Sequence, residues 1–292
     1  MRIPTYNSCQ TSMPADNTTW LFICLIFCEF RQIGRERSAM DGIFYSGAAA
    51  SYYRENKMNV FASAVSENGS RPINEDSFII LTGESSPCGT LGLIAVADGI
   101  GGRGTGAVAS QLTLKSFADV FSAGCSVSGR TPSEVPHLLR FAMQKANAAV
   151  FRAQDEEESL RGMGSTCTAA VFTNEFVHVV SVGDSRAYLL RNGTLTMLTH
   201  DEWRKLHDGT TVVDRAIGWQ PILPIEPSSF AIKRGDRVLL CTDGLTDALH
   251  EERIASIMKY EDIREVCTLL AANASLLPGA DNVTVIVADI SE

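Results

Sequence analysis

No apolar run here reaches the roughly 20 residues that a helix needs to cross a bilayer. The conspicuous one near the start, Trp20–Cys28, has nine residues, lacks a small-residue cleavage site after it and is soon followed by Arg31, Arg35 and Arg37. That argues against both a membrane span and a secretory leader. Basic charge is also scarce: 25 Lys and Arg face 34 Asp and Glu, for a net charge of -9. A nucleic-acid surface would be basic, so that class is set aside. None of the eight cysteines is in CxxC spacing, and several sit in apolar runs, as Cys241 does in VLLCTDG. They read as reduced core or loop residues, which excludes a disulfide framework or a zinc site and fits a reducing compartment. No GK[ST] closes the glycine-rich stretch, so there is no P-loop.

What is present is organised around Leu91–Ser110, LGLIAVADGIGGRGTGAVAS. An apolar run with the composition of a buried strand ends at one carboxylate, Asp98. Gly99, Gly101, Gly102, Gly104 and Gly106 follow, then a helical pattern. Glycines let the backbone approach a ligand closely. A carboxylate at that point favours a cation over a phosphate. Gly99, Gly101 and Gly104 do spell GxGxxG, so a dinucleotide enzyme is an alternative. That fold needs a second strand and an acid about 20 residues on, whereas the segment Ser122–Pro136 reads as a polar loop before another helix.

Residues 1–57 differ in texture and read as a poorly ordered leader, or as a segment outside the native start; residues 58–292 read as the catalytic domain. Strand patterns run over 58–66, with alternation at Val60, Ala62 and Ala64, and over 77–81 and 91–97. A long helix with its N-cap near Ser133 carries apolar residues at 138, 142, 146, 149 and 153. Strands follow at 165–172, 176–182, 186–190 and 194–198, with hairpin signals at Asn174-Glu175 and Asn192-Gly193. Residues 200–228 read as a long irregular loop. Strands at 230–232 and 237–241, helices around 250–258 and 261–275, and a closing strand at 282–290 complete the chain. Meandering strands with helices in separate pairs predict an α+β fold of antiparallel sheets with helices packed outside.

Single acids punctuate the apolar runs. Asp98, Asp184 and Asp243 follow strands; Glu75, Asp76 and Asp281 precede them. Antiparallel pairing sets the end of one strand beside the start of its neighbour. Six carboxylates at one edge would repel one another unless a cation neutralised them. Oxygen-only ligation suits Mg²⁺ or Mn²⁺. Taken singly, each is a turn or helix cap; that explanation has to be repeated six times.

In order, the motifs are Arg71-xxx-Glu75-Asp76, VADGIGG at 96–102, GAVAS at 106–110, GMGST at 162–166, VGDSRAYLLRNG at 182–193, LTHDE at 198–202, RAIG at 215–218, LLCTDGLTD at 239–247 and DNVTVIV at 281–287. From about Met58 to the C-terminus this resembles the metal-dependent protein serine/threonine phosphatases, the PPM or type 2C family, in its compact bacterial form. The resemblance implies a four-layer α-β-β-α sandwich. It implies a two-metal centre bridged by Asp98, with Asp243 and Asp281 on one ion and the Gly99 carbonyl on the other. Glu75 and Asp76 would act mostly through waters, and Arg71 would bind phosphate. Asp184 and Asp247 match a third, weaker metal position. Arg71, Asp76 and Asp98 are the expected catalytic set.

The implied reaction is hydrolysis of phosphoserine and phosphothreonine on proteins by a water that two Mg²⁺ or Mn²⁺ ions activate, reversing a protein kinase. A cytoplasmic monomer acting on phosphorylated proteins, with no nucleic acid and no membrane span, is expected. A phosphoprotein-binding pseudophosphatase of the same fold is the other alternative; the intact acidic set argues against it. His178 reads as a strand residue, whereas His200 and His207 lie in the loop where they could face substrate. Three departures from the family pattern stand out: Arg103 after the double glycine, Ser165-Thr166 for a double Thr, and the short loop at 200–214.

Overall fold

Period-two alternation builds the layers. The computed structural model describes residues 58–292 apart from 88, 103, 126–133, 206–207, 209–210 and 292. The expected leader at 1–57, the Ser133 cap, Arg103 and His207 lie outside the described residues. The strands are β1 (Asn59–Glu67), β2 (Ser77–Thr82), β3 (Gly92–Ala97) and β4 (Gly99–Ile100), then helices α1 (Thr105–Cys125) and α2 (Val135–Glu156). Next come β5 (Gly164–Ser165), β6 (Cys167–Phe172), β7 (Phe176–Val182), β8 (Arg186–Arg191) and β9 (Thr194–Met197). The remainder is β10 (Trp203–Lys205), β11 (Thr211–Val213), β12 (Ser228–Ala231), β13 (Arg237–Cys241), α3 (Asp243–Thr246), α4 (Glu251–Ile257), α5 (Ile263–Ser275) and β14 (Val283–Ser291).

Two five-stranded antiparallel sheets result, in the orders β1-β14-β13-β8-β9 and β12-β7-β6-β3-β2. On β3, Leu93, Ala95 and Ala97 join a core with α1 and α2, while Ile94 and Val96 join the core between the sheets. On β14, Ile286, Ala288 and Ile290 fill that same inter-sheet core, and Val283, Val285 and Val287 pack against α4 and α5. Three stacked cores make four layers, α-β-β-α, as expected. The alternation of Val60, Ala62 and Ala64 faces the inter-sheet core.

Differences from the expected elements are local. The stripe on α2 runs through Leu138, Ala142 and Ala146 but also through Leu139, Met143 and Val150. It is wider than the expected one because the helix is covered by both α1 and β-sheet. The 200–228 segment contains the short antiparallel ribbon β10–β11, in which Trp203 pairs with Val213. A single helical turn, α3, begins at Asp243 itself. At the β8–β9 hairpin, Asn192 and Gly193 both have positive φ (52° and 78°), the geometry of the two-residue turn that their sequence favours. Cys125, Cys167, Cys241 and Cys267 are buried, as read from sequence. Among the described residues no helix is long and apolar enough to cross a membrane.

Candidate metal centre

Strand register brings the acids to one end of the sandwich. Ser77 pairs with Ala97, so Asp76 before β2 lies beside Asp98 after β3. In the other sheet, Cys241 pairs with Val285, which sets Asp243 near Asp281-Asn282. The two sheet ends are tied together by Thr242, whose Oγ1 donates to Asp76 Oδ2 at 2.9 Å and accepts from the Thr284 N–H at 3.0 Å.

Backbone hydrogen bonds fix Asp98. Its N–H donates to Thr166 Oγ1 at 2.9 Å, and its carbonyl accepts from the Thr166 N–H at 2.8 Å and from Ser165 Oγ at 2.9 Å. Gly99 lies so close to α1 that a Cβ there would meet the Gly106 carbonyl oxygen at 2.1 Å and the Glu75 carbonyl oxygen at 2.6 Å. Only glycine permits that approach. Glu75 Oε1 accepts from the Gly106 N–H at 3.2 Å, in the first turn of α1 where helix donors lack intrahelical partners. Asn282 anchors the opposite wall: Oδ1 accepts from the Glu75 N–H at 2.9 Å, and Nδ2 donates to the carbonyls of Asn68 (2.9 Å) and Ile73 (3.1 Å).

The electrostatics are those of crowded anions. Burial raises the Asp98 carboxyl well above its ordinary value, and repulsion from Asp243, Asp76, Asp184 and Asp281 adds to the rise. Burial also lifts Asp243 to about 8, reinforced by Asp184, Asp247, Asp76 and Asp281. Asp76 and Asp184 are each pushed up to about 6, again chiefly by burial. Asp76 is held back from rising further by hydrogen bonds to Thr284 and Thr242. Asp247 rises too, through burial, against the nearby Arg186. Three buried side-chain oxygens among the described residues lack a hydrogen-bond partner; two of them, Asp76 Oδ1 and Asp184 Oδ1, belong to this cluster. Buried anionic oxygens left unpaired carry a large desolvation cost, which a cation removes. The donor set therefore fits a divalent, oxygen-ligated ion.

Arg71, Glu75, Asp98, Gly99 and Asp281 line one cavity of about 460 Å³. Asp76 and Asp243 adjoin it through the contacts above; Asp184 and Asp247 interact with each other and with Asp243. As they stand, no three His, Cys, Asp or Glu side chains among the described residues are drawn together tightly enough to hold an ion. Asp281 is also engaged by Arg71 Nη2 at 2.7 Å, an exposed ion pair.

His200 lines a different cavity of about 400 Å³, with Glu202, Arg215 and Glu226, and does not line the carboxylate cavity. His178 is a buried strand residue, as expected, bonded to Ser229 Oγ at 2.8 Å. Sequence reasoning missed Thr166, Thr242 and Asn282 as scaffolding, and Asp201, whose carboxylate grips Arg186 at 2.6–3.0 Å. The available signal was adjacency: Thr242 precedes Asp243, Asn282 follows Asp281, and both are polar in apolar surroundings.

A family model described as protein phosphatase 2C matches residues 72–274. The chain belongs to that family. Over 213 residues it is 33% identical to the serine/threonine protein phosphatase PstP of Mycobacterium tuberculosis, a match covering 68% of this chain and 40% of that protein. It is 30% identical to the serine/threonine phosphatase stp of Listeria welshimeri, with 68% of this chain and 84% of that protein covered. This protein phosphatase 2C chain thus spans well under half the length of the mycobacterial relative. Among solved structures it is similar to the PstP catalytic domain in complex with two manganese ions, at a TM-score of 0.69 and 31% identity, over 81% of this chain and 100% of that one.

Proposed function

We propose that the chain hydrolyses phosphoserine and phosphothreonine in proteins, releasing inorganic phosphate by direct attack of water at a two-metal centre. The observation that carries this reading is the cluster of buried Asp76 with half-buried Asp98, Asp184 and Asp243, with raised carboxyls and two unpartnered oxygens. In this reading two Mg²⁺ or Mn²⁺ ions would be held with Asp98 serving both, Asp243 and Asp281 serving one, and the Gly99 carbonyl serving the other. Glu75 and Asp76 act through waters, and Asp184 with Asp247 holds a third, weaker ion. The two manganese ions in the related PstP structure support the count. Bound there, divalent ions supply Lewis acidity to phosphoryl oxygens and lower the pKa of water.

The chain's own groups do the rest. Arg71 presents a planar fork that matches two phosphoryl oxygens and stabilises their charge. Its present partner, Asp281, forms a pair whose side chains are 59% and 45% exposed. Such pairs are worth about 0–1 kcal/mol, so exchanging Asp281 for a phosphate dianion costs little. The Thr166 and Ser165 bonds hold the Asp98 backbone still, so its carboxylate orientation is set before substrate arrives.

Residues 58–292 are taken as the catalytic domain and 1–57 as a leader without a part in the chemistry. The substrates are phosphorylated proteins of a kinase pathway, and the chain acts as a cytoplasmic monomer. The test is phosphate release from phosphothreonine peptides by the full chain with Mn²⁺, with Mg²⁺ and with chelator. Metal-dependent release is expected. Tight peptide binding without release would instead favour a pseudophosphatase.

A further inference from the structure

The cavity that holds the carboxylates is chemically two-sided. Alongside Asp98 and Asp281 it is lined by the apolar Pro72, Ile73 and Ile100. Ile73 leaves 47% of its surface exposed, a costly position for an apolar side chain beside charged groups. Its exposure is imposed by a rigid backbone. Asn282 Nδ2 grips the Ile73 carbonyl at 3.1 Å, and the Glu75 N–H is held by the same side chain at 2.9 Å. Ser70 N–H bonds to the Ala280 carbonyl at 2.8 Å, which anchors the start of the loop. Ile100 is equally fixed, paired with Gly164 in the β4–β5 ribbon. Gly104, lacking a side chain, leaves open the floor below Ile73, whose Cδ1 lies 3.7 Å from where a Cβ would stand.

We propose that Ile73, with Pro72 and Ile100, forms a specificity wall that receives an apolar side chain flanking the phosphorylated residue of a protein substrate. This rests on the protein phosphatase reading. A phosphoryl group occupies the polar half of the cavity, next to Arg71. The flanking side chain of the bound peptide then covers the apolar half and removes Ile73 from water. The same wall discriminates against an acidic neighbour. An acidic flanking residue meets an apolar surface of Pro72, Ile73 and Ile100 that cannot pair its charge.

The test compares two phosphothreonine peptides that differ only in having Leu or Asp beside the phosphorylated residue, with the full chain in Mn²⁺. Wild type is expected to favour the Leu peptide about tenfold in kcat/KM, the size typical of a small apolar difference in a pocket. Ile73→Ser should bring the ratio below about twofold, and Ile73→Lys should reverse it. The ratio is taken within one preparation, so a partly unfolded variant slows both reactions and leaves it unchanged. Release from both peptides without a wild-type preference, or a preference that survives in Ile73→Ser and Ile73→Lys, overturns the wall alone. Release from neither peptide overturns the phosphatase reading and the wall with it.

Discussion

Thr166 clasps Asp98 on both sides of its backbone, accepting from its N–H through Oγ1 at 2.9 Å and donating its own N–H to the Asp98 carbonyl at 2.8 Å. Thr166 is fully buried, and its Oγ1 also meets Ser185 Oγ at 2.8 Å. Thr166→Val keeps the shape and removes the hydroxyl. The Asp98 N–H then has no acceptor, at a cost of about 1–3 kcal/mol. Urea unfolding should show that loss, and Thr166→Ser should restore most of it. A valine variant as stable as wild type would mean that water replaces the hydroxyl.

The contrast between Asp98 and Thr166 explains what could be read in advance. Asp98 was legible because a carboxylate at the end of IAVA, before a glycine run, breaks an apolar strand for no packing reason. The strand pairing that collects Asp76, Asp243 and Asp281 with it follows from antiparallel topology. For Thr242 and Asn282 the sequence offers only their adjacency to Asp243 and Asp281, and for Thr166 not even that. Each acts through backbone atoms far away in sequence, and no local pattern marks a hydroxyl that will meet a distant N–H. The β10–β11 ribbon escaped because three-residue strands such as Trp203–Lys205 are too short to show alternation. His200 lies in a loop where it could face substrate, and the fold sets it on the wall of the neighbouring cavity.

Asp98→Asn separates function from stability. In chelator the substitution removes one of several repelling buried charges, so the melting temperature should rise. With Mn²⁺ the order should invert, because the wild type gains binding free energy that the variant cannot match. Losing a partner of a metal ligand typically costs about 10–100-fold in activity, so losing the proposed bridging ligand itself should cost more than about 100-fold. Differential scanning calorimetry with and without Mn²⁺, together with phosphate release, checks all three. A variant less stable than wild type in chelator would show that the Asp98 charge is already compensated by the protein.

His178 gives a pH dependence with a definite sign. Burial lowers its pKa below the ordinary 6.5, and its ring nitrogens face Ser229 Oγ and Thr173 Oγ1. The folded protein therefore holds the neutral ring, while the unfolded chain takes up a proton as pH falls past 6.5. This contribution to stability is complete above that value and is lost as pH drops through the lower, folded pKa. Between pH 7.5 and pH 5, wild type should lose more stability than His178→Gln, measured as the difference between their urea midpoints. Parallel pH profiles would exclude a role for this ring.

Asn282 offers the sharpest test of the scaffold, because one amide satisfies three backbone groups from two directions. Its oxygen serves the Glu75 N–H and its nitrogen serves the carbonyls of Asn68 and Ile73. The side chain is buried, so water cannot fully replace it. Asn282→Ala removes all three bonds; the Asn68 carbonyl keeps the Arg71 N–H, and the loss at the Glu75 N–H and the Ile73 carbonyl should cost about 1–3 kcal/mol each. Asn282→Asp looks milder, since it retains an acceptor for Glu75. Physical chemistry orders the pair the other way. The second carboxylate oxygen then faces two carbonyl oxygens it cannot bond, and a new negative charge stands next to Asp281 in an already anionic cluster. Asn282→Asp should therefore have the lower urea midpoint in chelator, and Mn²⁺ should narrow the gap by neutralising part of the added charge. If the aspartate variant is instead the more stable in chelator, Asn282 matters through its acceptor alone, and its two donor bonds contribute little to holding the loop.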